Sequence, residues 1–222
     1  MEVEEQEATT PAIAKAPEID VDKATKDIVF EPNAGPQTDF LASTEQEVLY
    51  GGAAGGGKSY AMVADPVRYF NNPSFRGLLV RRSTEELREL VSVSKTLYPK
   101  AIPGIKFMER DKTWVCPSGA TLWMSYLDRE DDVMRYQGQA FSWIGFDELT
   151  QWATPYPWNY MRSRLRSTGK SGLPLYMRAT SNPGGPGHTW VKKYFVDPCP
   201  PNEPFWATDE SGEVIIWPQG HS

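Results

Sequence analysis

The chain has 222 residues, of which 40% are apolar, and this length and composition predict one α/β domain with a hydrophobic core. Its net charge of −6 comes from residues 1–31, which hold nine Asp and Glu against three Lys, whereas the remaining residues hold 20 acidic and 20 basic side chains. A neutral body argues against an independent DNA-binding protein, the lack of any run of about 18 apolar residues argues against a membrane span, and two cysteines are too few for a disulfide framework or a metal cluster.

The first segment, residues 1–29, is rich in Glu, Ala, Pro and Lys and poor in aromatic side chains. Such a composition buries too little apolar surface to offset the entropy of folding. We therefore predict a flexible acidic leader at 1–29, with an acidic protein-binding arm as the alternative. The ordered domain is predicted to span residues 30–196.

A glycine-rich loop follows a short predicted strand at residues 47–50 and reads G-x-x-x-x-G-K-S, the phosphate-binding P-loop pattern. Glycines let the backbone curl around phosphates with its N–H groups inward, Lys58 adds a positive charge, and Ser59 offers a hydroxyl to Mg²⁺. A helix over residues 60–69, ended or kinked by Pro66, would present its N-terminus to the anion. A flexible surface turn is the alternative, which the strand–loop–helix context disfavours. The predicted phosphate-binding residues are Gly52, Ala53, Ala54, Gly55, Gly56, Gly57, Lys58, Ser59 and Tyr60.

Residues 30–41, just before this strand, contain Gln37 and Phe40. The amide of Gln37 can both donate and accept a hydrogen bond, as recognition of an adenine edge requires, and Phe40 would pack nearby. Many P-loop motors, which this stretch resembles, carry a Gln here that reads the adenine edge, so Gln37 is our candidate for that role. The alternative, that Gln37 is a surface loop residue, is equally consistent with the local sequence.

The next predicted strand, residues 77–82, is apolar and ends in Arg81 and Arg82. Ser83 or Thr84 then caps a predicted amphipathic helix. Because the ends of central strands form the ligand edge of an α/β sheet, either arginine can contact phosphate or a neighbouring subunit. A structural salt bridge is an equally good interpretation for each.

Three short segments at residues 105–108, 113–116 and 120–126 predict a β-meander, with a turn at 117–119. The charged residues 128–132 that follow are interpreted as a solvated surface, and no chemistry is assigned to them.

A second functional signal is the mostly apolar strand that ends in Asp147 and Glu148, the Walker B arrangement. Asp147 would hold Mg²⁺ directly or through water, and Glu148 would polarise the water that attacks the γ-phosphate. Apolar strands ending in Asp-Glu are common, so the support comes from the position of this strand after a P-loop.

Beyond this strand, residues 151–165 predict a loop and a helix ending near three arginines, which suit either the helix dipole or, less well, a DNA contact. The predicted strand 173–182 ends in Thr180, Ser181 and Asn182, small polar side chains that can hydrogen-bond a γ-phosphate or the attacking water. A turn and a helix over 188–195 follow.

The last segment, residues 197–222, is Pro-rich and irregular and has one strand candidate at 213–217. A lone strand without a partner suggests the start of a truncated linker or lid, so we expect the chain to be a fragment.

Pro36-Gln37 and four motifs after it together resemble the large terminase subunit of tailed bacteriophages, the DNA-packaging motor. The motifs are GGAAGGGKS, LLVRRS, RYQGQAFSWIGFDELT and TSNPGGPGHTWVKKYF. The resemblance covers about residues 30–196. It implies a P-loop NTPase of the additional-strand, catalytic-glutamate class, an α/β fold with a mainly parallel central sheet flanked by helices. It also implies ATP and Mg²⁺ as cofactors.

The resemblance further implies roles for individual residues. Thr180, Ser181 and Asn182 would be the coupling motif that links loss of the γ-phosphate to motion of the DNA-gripping parts, and Gln37 would read adenine. An arginine finger is expected, from this chain or from a neighbouring subunit. The candidates, in order of preference, are Arg135, Arg81 and Arg82.

The partners implied by the resemblance are double-stranded DNA, a portal protein, a small terminase subunit and further copies of the chain in a ring on the procapsid, in the host cell cytoplasm. Family members usually continue into a nuclease domain with an acidic two-metal site. Because too few acidic residues follow residue 195, we expect ATP hydrolysis without DNA cleavage from this chain.

Two other functions remain as alternatives. A small-molecule kinase would need an acceptor pocket, and the adjacent acids Asp147 and Glu148 favour water as the acceptor instead. A non-catalytic nucleotide-dependent interaction module is disfavoured because Lys58, Asp147 and Glu148 are all present.

Overall fold

A seven-stranded sheet forms the centre of the protein. The structure, a computed structural model, describes residues 28–53, 55–166, 171–208 and 211–214. Nearly all of the predicted leader, Ala54 of the P-loop and the end of the strand candidate 213–217 therefore lie outside the described residues. Within the described part, Val214 forms a single antiparallel bridge with Thr208. The predicted domain boundaries stay predictions.

The elements follow the predicted order closely. The strands are β1 Glu47–Gly51, β2 Arg76–Arg81, β3 Lys106–Met108, β4 Thr113–Val115, β5 Thr121–Tyr126, β6 Trp143–Phe146 and β7 Tyr176–Ser181. The α-helices are α1 Pro36–Ala42, α2 Lys58–Ala64, α3 Thr84–Ala101, α4 Tyr156–Arg162 and α5 His188–Val191, and the last continues into a π-helical turn at Lys192–Val196. Single 3-10 segments are formed by Asp65–Tyr69, Glu130–Tyr136 and Leu149–Gln151.

The strands are arranged in the order β1-β7-β6-β2-β5-β4-β3. The first five are parallel, and β5, β4 and β3 form the predicted antiparallel meander. Strand β7 lies between β1, which leads into the P-loop, and β6, which leads into Asp147. The mainly parallel sheet is thus confirmed. The additional strand is β7, which separates the strand before the P-loop from the strand before Asp147. Parallel strands end at one edge, so this order brings the ends of β1, β7, β6 and β2 together.

Local chemistry explains where the helices next to this edge begin and end. Helix α2 gives way to a 3-10 turn at Asp65, one residue before Pro66, which confirms the predicted effect of that proline. Helix α3 is capped by Ser83, whose hydroxyl accepts from the backbone N–H of Glu86. Helix α1 was not predicted; it starts at Pro36, a residue that suits the first helical position.

Hydrophobic side chains cover both faces of the sheet. One core includes Met62 of α2 and Leu90 of α3, and the other includes Trp158 and Met161 of α4. Burial on both faces explains why the central strands are almost continuously apolar in sequence. None of the helices among the described residues is long and apolar enough to cross a membrane.

Candidate nucleotide-binding site

The P-loop connects β1 to α2 as predicted. Gly52, Gly55 and Gly57 have φ values of 139°, 88° and 70°, which side chains other than glycine rarely adopt. Lys58 is the first residue of α2, and its amino group donates to the carbonyl oxygens of Gly52 (3.0 Å) and Ala53 (2.7 Å). The charge of Lys58 is therefore held inside the loop, where phosphate oxygens can replace those carbonyls.

Ser59 and Asp147 meet at this edge of the sheet although they are 88 positions apart in the chain. Asp147, directly after β6, is fully buried, and its Oδ2 accepts hydrogen bonds from Ser59 Oγ at 3.3 Å and from Arg81 Nε at 2.6 Å. Its Oδ1 accepts from the hydroxyl of Thr180. The two predicted metal ligands, Ser59 and Asp147, therefore do lie together.

The donor set at this point fits Mg²⁺. Hydroxyl and carboxylate oxygens are hard ligands, and Mg²⁺ typically uses one or two carboxylates and completes its shell with phosphates and water. Among the residues that the structure describes, no three His, Cys, Asp or Glu side chains gather into a metal cluster. Ser59 and Asp147 leave the rest of the coordination shell to water or to the phosphate oxygens of a bound nucleotide.

Glu148 adopts a left-handed backbone conformation, with φ of 59°. Its backbone N–H donates to Thr180 Oγ1 at 3.2 Å. Its carboxylate accepts from Asn182 twice: from the side-chain amide at 2.7 Å and from the backbone N–H at 3.2 Å. Thr180 in β7 and Asn182 just after it therefore fix the direction of Glu148. The side chain of Glu148 is partly exposed, next to the buried Asp147.

The predicted coupling motif contacts the two acidic residues and the turn that follows them. Thr180 bridges Asp147 and Glu148, and Asn182 holds the Glu148 carboxylate. Ser181 donates its hydroxyl to Thr150 Oγ1 at 2.9 Å, in the 3-10 turn that follows Glu148. All three motif residues are thus linked to the segment after β6.

Gln37 is 3% exposed, so the alternative of a surface loop residue is wrong. Its Oε1 accepts from the backbone N–H of Asn33 at 2.6 Å, and its Nε2 donates to the carbonyl of Gly57 at 3.0 Å. A Cβ atom at position 57 would lie 2.6 Å from that Nε2, and the φ of 70° is one that side chains rarely adopt, so this position favours glycine. Gln37 lies against the P-loop, and its adenine-reading role stays a prediction.

The aromatic residues of this region pack around the loop. Tyr60, predicted among the phosphate-binding residues, has its ring 5.0 Å from that of Phe30. Tyr50 was not predicted to matter, yet its hydroxyl donates to the carbonyl of Gly56 at 2.7 Å, and its ring lies 5.4 Å from Phe40. The signal that could have identified Tyr50 is its position at the end of the strand that leads into the loop.

The three candidate arginines have different environments. Arg81 is buried and forms an ion pair with Asp147 inside the site. Arg82 donates to the carbonyl of Leu127 at 2.6 Å. Arg135 lies in the 3-10 segment before β6, with its side chain 37% exposed and 3.1 Å from the carboxylate of Asp132. Only Arg81 contacts another predicted site residue.

Comparison with known proteins rests on the fold. No protein-family model matches the sequence, and neither does any curated protein sequence. The ATPase domain of the Thermus phage P74-26 large terminase superposes with a TM-score of 0.55 at 16% identity, over 78% of this chain and 73% of that one. The large terminase of another thermophilic bacteriophage superposes with a TM-score of 0.58 at 18% identity, over 75% of this chain.

That second terminase, in complex with ADP, gives a TM-score of 0.54 at 21% identity. The chain spans 43% of its length in the first of its two structures and 42% in the ADP complex. At identities this low the likeness concerns the fold. The protein has the fold of the ATPase domains of tailed-phage large terminases.

Proposed function

We propose that this chain hydrolyses ATP in the presence of Mg²⁺ and that the reaction drives double-stranded DNA into a viral procapsid. The observation that carries the ATPase proposal is the junction of three strands: Asp147 hydrogen-bonds Ser59 of the P-loop, while the adjacent Glu148 is held by Asn182. The likeness to terminase ATPase domains supports the DNA-packaging part.

The roles of the residues follow from their places at this edge. The N–H groups of the P-loop and Lys58 would bind the phosphates, and Ser59 and Asp147 would hold Mg²⁺, which neutralises charge on the phosphate oxygens when bound. Glu148, fixed by Asn182, would orient the attacking water and accept its proton. Gln37, against the loop, is proposed to read the adenine.

A change at the γ-phosphate would be transmitted through the coupling motif. Thr180 contacts both acidic residues and Asn182 contacts Glu148, so a shift of Glu148 or Asp147 on phosphate release would reach the end of β7 directly. The arginine finger is proposed to be Arg135 before Arg81 or Arg82, because Arg135 is exposed and can reach a neighbouring subunit.

The proposed partners are those of a packaging motor: DNA, a portal protein, a small terminase subunit and other copies of the chain in a ring, in the host cell cytoplasm. DNA cleavage by this chain is not part of the proposal.

The test is steady-state phosphate release from ATP by the wild-type protein, Glu148→Gln and Lys58→Ala, with and without candidate acceptor molecules. Glu148→Gln should bind ATP but lose at least about 100-fold in kcat, because an amide cannot act as a base. Lys58→Ala should lose nucleotide binding or turnover. A Glu148→Gln variant that turns over at the wild-type rate would reject this site, and transfer to an acceptor would indicate a kinase.

A further inference from the structure

The buried carboxylate of Asp147 has a guanidinium as its charge partner. Arg81 Nε lies 2.6 Å from Oδ2, and both residues are almost completely buried. A buried carboxylate is strongly disfavoured without a cation or several hydrogen bonds. The nearby Lys58 does not fill this role, because its amino group bonds the carbonyls of Gly52 and Ala53.

The backbone fixes Arg81 in this position. Val80 pairs with Phe146 in neighbouring parallel strands, and the N–H of Asp147 donates to the carbonyl of Val80 at 3.0 Å. Arg81 and Asp147 are therefore the next residues on two adjacent strands and must lie side by side. The carbonyl of Arg81 is itself bonded by the N–H of Leu127, so the end of β2 is anchored on both sides.

Arg81 binds the same carboxylate oxygen that faces the other predicted metal ligand. Oδ2 of Asp147 accepts from both Arg81 and Ser59, so it is the oxygen that a cation shared with Ser59 would use. A divalent cation excludes hydrogen-bond donors from the lone pair it occupies and repels a guanidinium at this distance. A cation held by Ser59 and Asp147 at this oxygen would therefore lie beside the guanidinium, and the two positive charges disfavour each other there.

We propose that Arg81 is a positioning residue that acts as the resident counter-ion of Asp147 and leaves Oδ2 when Mg²⁺ and nucleotide bind. A second carboxylate is within reach, since the NH2 group of Arg81 lies 3.9 Å from Oε2 of Glu89, an exposed residue of α3. The inference rests on the proposed function for its metal–nucleotide site. It adds that, in the absence of nucleotide, the ion pair of Arg81 and Asp147 lowers the affinity of this site for a metal ion.

The first test contains no nucleotide. Binding of Mn²⁺ alone is followed by electron paramagnetic resonance of the free ion, in the wild type and in Arg81→Gln, which removes the charge and keeps a hydrogen-bonding side chain. The Kd should fall at least about tenfold in Arg81→Gln, because Asp147 then lacks a competing cation. An equal or weaker affinity in this variant overturns the proposal.

Two further variants control this measurement. Arg76→Gln changes an arginine at the opposite end of β2, whose guanidinium donates to the backbone carbonyls of Pro73, Phe75 and Gly119, and should leave the Kd unchanged. Adding Asp147→Asn to Arg81→Gln should abolish the gain. A gain that persists without the carboxylate would place the metal elsewhere and reject the inference.

A second measurement uses the wild-type protein, in case Arg81→Gln does not fold. In EDTA, the Nε–H proton of Arg81, assigned by NMR, should have a chemical shift displaced from that of a free guanidinium and should exchange slowly with water. With Mg²⁺ and a non-hydrolysable ATP analogue, both properties should be lost. The analogue with EDTA should leave it unchanged. If the analogue binds with Mg²⁺ and the signal does not move, the proposal is wrong; if the analogue does not bind at all, the proposed ATPase function fails instead.

Discussion

Glu148 illustrates how single residues of this site are fixed by neighbours from another strand. A left-handed conformation outside glycine costs of the order of 1–3 kcal/mol and persists only where the surroundings enforce it. Here Thr180 accepts from the backbone N–H and Asn182 donates twice to the carboxylate. The direction of the proposed base is therefore set by β7.

Replacing the amide that holds this base tests the arrangement. Asn182→Ala removes the 2.7 Å bond to Glu148, so kcat for ATP hydrolysis should fall by about tenfold, part of what a positioned base contributes, with little change in KM. Steady-state kinetics measures both. Asn72→Ala is the matched control and should leave kcat unchanged, since the side-chain amide of Asn72 donates to the carbonyl of Ser171, outside the site. Equal kcat in the wild type and Asn182→Ala would contradict this role.

A buried thiol gives the protein a pH dependence in the alkaline range. Burial raises the pKa of Cys116 from 9.0 to about 11. Below pH 9 the thiol is protonated in both the folded and the unfolded chain, and between pH 9 and 11 only the unfolded chain loses the proton. The free energy of unfolding should therefore fall as the pH rises through this window. Urea unfolding at about pH 8.5 and about pH 10.5, on either side of the unfolded-state pKa, measures this change. The free energy of unfolding should fall less between the two pH values in Cys116→Ala than in the wild type, and equal falls would contradict the role of this thiol.

At the scale of elements, the P-loop helix reaches its place because the sheet has no side chain at the point of closest approach. Gly145 of β6 lies under α2, and a Cβ atom there would be 2.8 Å from Met62 Sδ and 2.9 Å from Leu79 Cδ1. Below this contact, Asp65 at the end of α2 accepts hydrogen bonds from the side chains of Trp143 and Tyr176. Helix α2 is thus attached to both β6 and β7.

The close approach of helix and sheet predicts a cost for one added methyl group. Gly145→Ala should lower the free energy of unfolding by about 1–3 kcal/mol, because the packed side chains of Trp143, Met62 and Leu79 must move to relieve the overlap. Gly51→Ala is the control, since its Cβ would meet only Leu49 Cδ2, at 4.0 Å. Both are measured by urea denaturation, and a Gly145→Ala protein as stable as the control would show that the surrounding side chains repack without cost.

At the scale of the whole molecule, the candidate site lies at one edge of the sheet, while Arg135 lies in an exposed segment before β6. Its guanidinium is near the carbonyl and ring of Tyr126, the last residue of β5. An arginine on the surface can complete the site of an adjacent copy, which would make a lone subunit slow. An arginine finger contributes about 10³–10⁵ in rate.

This arrangement predicts that activity depends on protein concentration. The specific rate of ATP hydrolysis by the wild type should rise with concentration, whereas Glu148→Gln and Arg135→Ala should each stay low. Mixing the two variants should restore part of the activity, because one supplies the arginine and the other the intact base. A flat, Glu148-dependent rate, or no recovery on mixing, would place the finger within the chain or on another residue.

Short sequence patterns were enough to predict most helices and strands. They also predicted the two motifs of the site, the P-loop with Lys58 and the strand that ends in Asp147 and Glu148. The G-x-x-x-x-G-K-S loop, the break at Pro66 and the paired acids after an apolar strand depend on backbone preferences that a few neighbouring residues determine. Helix α1 was missed because its seven residues show only a proline as a start signal.

The sequence by itself determined the P-loop, the strand that ends in Asp147 and Glu148, and the α/β class. Only the tertiary structure decided which partners these residues have: Arg81 on Asp147, Asn182 on Glu148 and Gln37 on Gly57. The physical reason is that these contacts join residues 20 to 66 positions apart in the chain. They depend on the order of strands in the sheet, which no local pattern specifies.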